Sequence, residues 1–318
     1  MSAELTTISI PVDVAAPNRT RDLNSDRKRS NRIVTRLIDA SRKAPVGATA
    51  IALLLVIVGT ILLGPILPLA DPQAPSLSDR LQPPMSIGKD GTRHLLGTDQ
   101  LGRDVLSRTI YGGRISLGVA ISAVVVSGIV GTLLGLLAGY RKGPIDYAIM
   151  RLVDFQMAMP SLLLAIFLIY LIGSSIFNLI LLLSILSWYS YTRIARSEAL
   201  RLSRSSFVDA AVVCGAGEQR ILFRHILPQM VPVLTVIAVF DFSAVILAEA
   251  GISFLGFGVQ PPQTSWGRMI SEGQQFITTG NWWLFLAPGM AIFLTVLSVR
   301  LGSGWIAQLL GTRDSTLR

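Results

Sequence analysis

Six long apolar blocks constrain what this chain can fold into. They cover about residues 46–68, 115–140, 152–172, 176–194, 231–250 and 282–301. A helix needs about 20 mainly apolar residues to cross the hydrocarbon core of a bilayer. In that core every backbone N–H and C=O has to be paired inside the spanning element. The blocks have the required length, so the sequence predicts an all-α membrane protein with six transmembrane helices. A soluble protein with buried core helices is excluded by the same lengths. Composition agrees: 51% of the residues are hydrophobic and 15% charged, with a mean hydropathy of +0.58.

The net charge is +9. Its placement points to membrane topology rather than to nucleic acid. Basic residues crowd the segments that an N-terminus-inside arrangement puts in the cytoplasm. They include Arg27, Lys28, Arg29, Arg32 and Arg36, then Arg141, Lys142 and Arg151, then Arg193, Arg196, Arg201, Arg204, Arg220 and Arg224. Both termini are therefore expected in the cytoplasm of a multi-pass protein. The predicted order is a cytoplasmic tail over 1–43 and a first spanning helix over 44–70, read as an uncleaved signal anchor. An outer segment, 71–114, and a membrane core, 115–310, follow, with a tail over 311–318.

Several chemistries are missing from the sequence. The single cysteine, Cys214, permits no intrachain disulfide, and two distant histidines, His94 and His225, make no metal cluster with it. Gly97 and Gly102 have the glycine spacing of a phosphate-binding loop. Arg103 and Asp104 follow in place of the Lys and Ser/Thr that would hold phosphate and magnesium. No nucleophile elbow and no zinc-protease motif is found. The chain is expected to be no enzyme and to carry no cofactor.

Other residues carry packing or pathway expectations. Gly131, Gly135 and Gly139 form two successive G-x-x-x-G steps, which predict close contact with another helix. Asp154 lies three residues after Arg151, the spacing of a local ion pair. Asp241 falls in the middle of the fifth block, where a charge is costly and turns toward a cavity or a partner. Glu249 lies near the outer end of the same block, within expected reach of water. Around Phe254, residues 253–262 combine bends with apolar side chains and are candidates for the outer mouth of a pathway. Asp104 and Arg108 are four apart, a favourable helical pair. With Arg103 and Arg114 they predict a short amphipathic helix on the outer surface, either a contact for an outer partner or a plug on the subunit's own face.

The cytoplasmic segment 193–228 is the most informative. It predicts a short helix, a glycine turn, and a second amphipathic helix that stops at Pro228. Ile221, Leu222 and Phe223 would offer apolar contact, and Arg220 and Arg224 charge, to a groove on a soluble partner. Asp209, Ala210 and Ala211, then Gly215, Ala216 and Gly217, then Leu227 and Pro228, resemble the EAA loop of bacterial ATP-binding cassette (ABC) importer permeases. Asp209 stands where Glu is usual in that motif.

The resemblance extends along the chain. The run from His94 through Gly97, Thr98, Asp99, Gly102, Arg103 and Asp104 to Arg108, with Tyr111 and Arg114, is similar to the segment before the second helix of C-type permeases of dipeptide and oligopeptide importers. The run from Ser253 to Pro262, then Ser265, Trp266 and Gly267, then Ser271, Glu272 and Gly273, is similar to their last outer loop. The resemblance implies the type I ABC importer transmembrane fold in the bacterial inner membrane. It implies a related second permease, two ATPase subunits that bind ATP and magnesium, and an outer substrate-binding protein as partners, besides membrane lipid. The branch includes importers of dipeptides, oligopeptides, nickel chelates and glutathione. A lone secondary transporter or channel would need coupling-ion residues, for which only Asp241 is a candidate. A membrane enzyme would need a catalytic cluster, which the sequence lacks.

Overall fold

The computed structural model describes residues 45–89 and 91–309. The tails expected over 1–43 and 311–318 lie outside the described residues. Ten α-helices are described: α1 (Pro45–Leu63), α2 (Val105–Arg141), α3 (Gly143–Ala158), α4 (Ser161–Ile172), α5 (Ile176–Leu202), α6 (Ser206–Val213), α7 (Glu218–Arg220), α8 (Leu227–Phe254), α9 (Trp266–Gln274) and α10 (Trp283–Leu309). A π-helical stretch, Ile221–Ile226, joins α7 to α8. The only sheet among the described residues is a two-stranded antiparallel one, β1 (Ser86–Ile87) with β2 (Arg93–His94). It sits in the cap, the segment between α1 and α2.

Four helices are long and apolar enough to cross a membrane, and a fifth span is formed if the bent pair α3–α4 crosses as one. Large apolar side chains such as Leu55, Tyr170 and Phe177 face outward, as in a protein whose solvent is lipid. One buried cluster joins seven helices, with Ile61 from α1, Ala120 from α2, Ile169 from α4, Leu182 from α5, Ile246 from α8, Trp266 from α9 and Ile292 from α10.

The closest helix pair is α2 with α5, and glycine makes it possible. A methyl group on Gly131, Gly135 or Gly139 would overlap the carbonyl oxygens of Trp188, Thr192 and Arg196 respectively. Both helices step by four, so backbone meets backbone along three turns. The glycine pattern thus finds its partner in the least apolar of the long helices. α5 is not among the four helices apolar enough to span on composition. Arg193, Arg196, Glu198 and Arg201 lower its hydropathy near one end.

Several boundaries differ from expectation for physical reasons. The third block is not one helix. α3 and α4 meet at a bend of 97°, because Pro160 has no N–H and forces Met159 into extended backbone, at φ −86° and ψ 132°. Trp188 donates to Gln156 at 2.6 Å, and Gln156 donates to the Ile185 carbonyl, so the bend is held against α5. The amphipathic outer helix expected from Arg103, Asp104, Arg108 and Arg114 is not separate. Asp104 caps α2, accepting from the Ser107 N–H at 2.8 Å, and the following residues form its first turns. Pro228 does not end a helix either. It lies in the first turn of α8, where its missing N–H is tolerated. The wider π turns before it carry the helix on without a break from Glu218 to Phe254. Arg193, Arg196 and Arg201, expected in a loop, belong to α5.

Gly135→Val places a β-carbon against the Ala195 Cβ at 2.7 Å and the Arg196 nitrogen at 2.9 Å. A melting curve of the purified subunit should show a loss of at least about 1–3 kcal/mol, the usual cost of overpacking. Gly118→Val, where nothing lies within 4 Å, should melt within error of wild type. Equal effects at both sites would refute the packing role.

Candidate coupling and substrate sites

The segment after α5 forms a small domain at one end of the bundle, opposite the cap. α6 ends in a Schellman turn. The Ala216 N–H reaches the Ala211 carbonyl at 3.0 Å and the Gly215 N–H the Val212 carbonyl at 2.9 Å. Gly215 takes φ +78° there, a conformation that a side chain strains. α7 starts at Glu218, whose carboxylate accepts from Arg141 at 2.8 Å and so ties this segment to the last turn of α2. Arg196 on α5 pairs with Asp146 on α3 in the same region. Arg151 and Asp154 are 4.0 Å apart, the local pair expected from their spacing.

The apolar residues expected on the partner-facing surface divide. Ile221 and Leu222 turn inward, into a cluster with Leu136, Ala195, Ala199, Val208 and Ile226. They anchor the segment to α2 and α5 and cannot touch a partner. Phe223 is exposed, and so are Asp209, Ala210, Gly215, Gly217, Arg220, Arg224 and Pro228, while Ala211, Ala216 and Leu227 are half-buried. The sequence reading missed the apolar tip of α6: Val212 is 54% and Val213 87% exposed. Valines on a surface helix carry no local signal that sets them apart from core. The outward surface is thus Val212, Val213 and Phe223, ringed by Asp209, Arg220 and Arg224.

In the bundle interior, Glu249 is buried completely and water does not reach it, contrary to expectation. It accepts hydrogen bonds from Ser253 at 2.7 Å and from Ser116 at 3.1 Å. The Ser116 hydroxyl in turn accepts from the Trp266 N–H at 3.1 Å, so one carboxylate links α2, α8 and the start of α9. Asp241 is half-buried on α8 beside the hydroxyls of Tyr191 and Ser187 on α5. Phe254, half-buried, ends α8 just before a turn at Gly256.

The cap is held by ions. Asp104 and Arg108 do not pair with each other as expected. Asp104 pairs with His94 at 3.0 Å, while Arg108 bridges Asp99 in the cap and Glu272 on α9, the latter at 3.0 Å. Arg103 also reaches Asp99, at 2.7 Å, and Arg268 reaches Glu272 at 3.0 Å. Asp104 and Arg108 are buried, so neither offers a surface to a protein partner. Arg103 is half-buried and Arg114 exposed. Asp99 and Glu272 escaped the sequence reading as site residues, since the contact between residues 99 and 272 is long-range. Burial pushes the Glu272 carboxyl up, but Arg108, with Arg268 and Arg103, outweighs it and holds the group below its ordinary value. Among the described residues no group of three or more metal-ligating side chains occurs.

With this geometry, comparison with known proteins is specific. Residues 131–312 match the family described as binding-protein-dependent transport system inner membrane component. The chain belongs to that family and is a multi-pass protein of the bacterial inner membrane. The match covers both the glycine contact and the α6–α7 segment. Among curated relatives, the chain is 42% identical to the di/tripeptide transport system permease protein DppC of Pseudomonas aeruginosa, over 70% of this chain and 73% of that one. It is 34% identical to the probable D,D-dipeptide transport system permease protein DdpC of Escherichia coli, over 86% and 90%. It is also 40% identical to the glutathione transport system permease protein GsiD of Pectobacterium atrosepticum, over 65% and 69%.

The lowered Glu272 value has a consequence for acid stability. A carboxyl with a depressed folded-state value stabilises fully above its ordinary value, 4.5. That contribution is lost as pH falls through the lower folded value. Melting temperature against pH should therefore show a smaller acid decline for Glu272→Gln than for wild type, with the variant less stable at pH 7. Parallel curves would mean that Glu272 does not stabilise the cap as a charged group.

Proposed function

We propose that this chain is one of two membrane subunits of an ABC importer for di- and oligopeptides. Six spans are formed by α1, α2, the bent pair α3–α4, α5, α8 and α10. Both termini and the α6–α7 segment lie in the cytoplasm, and the cap lies outside. Arg141, Lys142, Arg193, Arg196, Arg201, Arg204, Arg220 and Arg224 gather at the end opposite the cap, which supports this orientation. The partners are a homologous permease, two ATPases that bind ATP and magnesium, and an outer substrate-binding protein. This subunit supplies half of the pathway, and hydrolysis takes place in the ATPases. Asp241 and Phe254 are proposed to border the pathway. The relatives named for peptides support the substrate class, and the relative named for glutathione supports a second reading in which that tripeptide is imported.

The observation that carries this reading is the α6–α7 segment. A rigid element with an exposed apolar tip and flanking charges is fastened to the bundle by Ile221, Leu222 and the Arg141–Glu218 pair. Such a shape suits docking into a groove of a soluble partner. ATP-driven closure of the two ATPases would move the segment, and its fastening would pass the movement to α2 and α8.

The test uses the co-expressed complex. Gly215→Val strains the turn between α6 and α7 without touching a neighbour, since nothing lies within 4 Å of the position. Membrane insertion should be normal, peptide uptake should be lost, and peptide-stimulated ATP hydrolysis should fall to the basal rate. Asp209→Lys should lower the yield of co-purified ATPase. Wild-type uptake and wild-type ATPase recovery in both variants would end this assignment.

Topology has its own test. A reporter active only outside the cytoplasm should work when fused after Lys89 and fail when fused after Glu218. The reverse pattern would overturn the orientation.

A further inference from the structure

A recess of about 220 Å³ opens between the cap, the first turns of α2 and the loop before α9. Its walls include Arg103, Arg108, Tyr111, Arg114 and Thr264. Arg103, Arg108 and Arg268 share two carboxylates, Asp99 and Glu272, which leaves one positive charge in excess. Arg114 adds a second. Its guanidinium lies 5.9 Å from the centre of the Tyr111 ring, and among the described residues no carboxylate lies within the 4.0 Å of an ion pair. Arg108 still has donors to offer, since its five N–H groups serve Asp99, Glu272 and Thr264 with one hydrogen bond each.

We propose that this recess binds the C-terminal carboxylate of the transported peptide, with Arg114 as its main ligand. The proposal rests on the importer reading and adds a substrate-binding site to it. Guanidinium groups match carboxylates in shape as well as charge. The Tyr111 ring and the neighbouring Ile115 and Pro262 provide an apolar wall for the last side chain of the peptide. A recess below the size of drug-sized pockets, about 300–1,000 Å³, takes one end of a peptide rather than the whole. An acidic side chain on the binding protein is the other source of a carboxylate. It would reach the exposed Arg114 but not Arg108, which is 4% exposed and is met only by a group small enough to enter the recess.

The test uses the complex of permeases and ATPases in nanodiscs, without the binding protein, so that no other carboxylate site interferes. Saturation-transfer NMR reports binding of dialanine and of dialanine amide. Dialanine should give a signal and its amide none. Arg114→Gln should weaken dialanine binding about tenfold or more, the usual worth of a charge-assisted hydrogen bond, and Arg114→Lys should weaken it less. The Arg114→Gln variant should melt as wild type does, because Arg114 is exposed and makes no ion pair. Equal signals from dialanine and its amide, or unchanged dialanine binding in Arg114→Gln, would overturn the proposal. So would lower affinity for dialanine-loaded binding protein in Arg114→Gln with dialanine binding intact, which would place the carboxylate on the binding protein. The importer reading is judged separately, by dialanine-stimulated ATP hydrolysis with all subunits present.

Discussion

The structure depends on the approach of α2 and α5 at the distance of two bare backbones. In a bilayer the apolar effect gives helices little reason to associate, since lipid tails are as apolar as leucine. Contact has to come from packing, and packing is tightest where side chains are absent. Gly131, Gly135 and Gly139 provide that surface on α2. α5, whose arginines make it the least lipid-like of the long helices, is kept in place by this contact and by Arg196 on Asp146. The α6–α7 segment is built on the same pair, since its buried face rests on Leu136 of α2 and on Ala195 and Ala199 of α5.

The cap solves a different problem. It is polar chain, and it has to be fixed to α9 without a large apolar core. Buried ion pairs do this only where each charge is matched and hydrogen-bonded. Arg108 meets the condition by reaching Asp99, Glu272 and Thr264 at once. Glu249 follows a similar rule inside the bundle, with hydroxyl groups in place of a cation. Ser116 and Ser253 supply the donors that a buried carboxylate requires.

Sequence alone reveals much of this fold, because hydrocarbon imposes a length rule that is read directly from apolar runs. The glycine steps of α2 were legible for the same reason, being a local pattern with a single physical use. The break at Pro160 carried its own signal, a proline inside an apolar block, which length obscured. Partners at long range were not legible. Nothing near Arg108 distinguishes Asp104, four residues on the N-terminal side, from Asp99 and the remote Glu272 as its counter-ion. The division of Ile221 and Leu222 from Phe223 was hidden as well, because a π-helical stretch shifts which residues share a face. In the α6–α7 segment the residue types were informative, while their directions came only from the fold.

The unbroken helical run from Glu218 to Phe254 has 37 residues. At about 1.5 Å per residue it is a rod of about 55 Å. It starts in the segment proposed to meet the ATPase and ends two residues before Gly256, near the cap. Its first turns are held by Ile221, Leu222 and Ile226 in the cluster on α2 and α5, and its last third by Val245, Ile246 and Ile252 in the bundle core. A rod held towards both ends behaves as a strut. A push on its cytoplasmic end would be carried along its length to the turn beside the cap, with no relay of intermediate contacts.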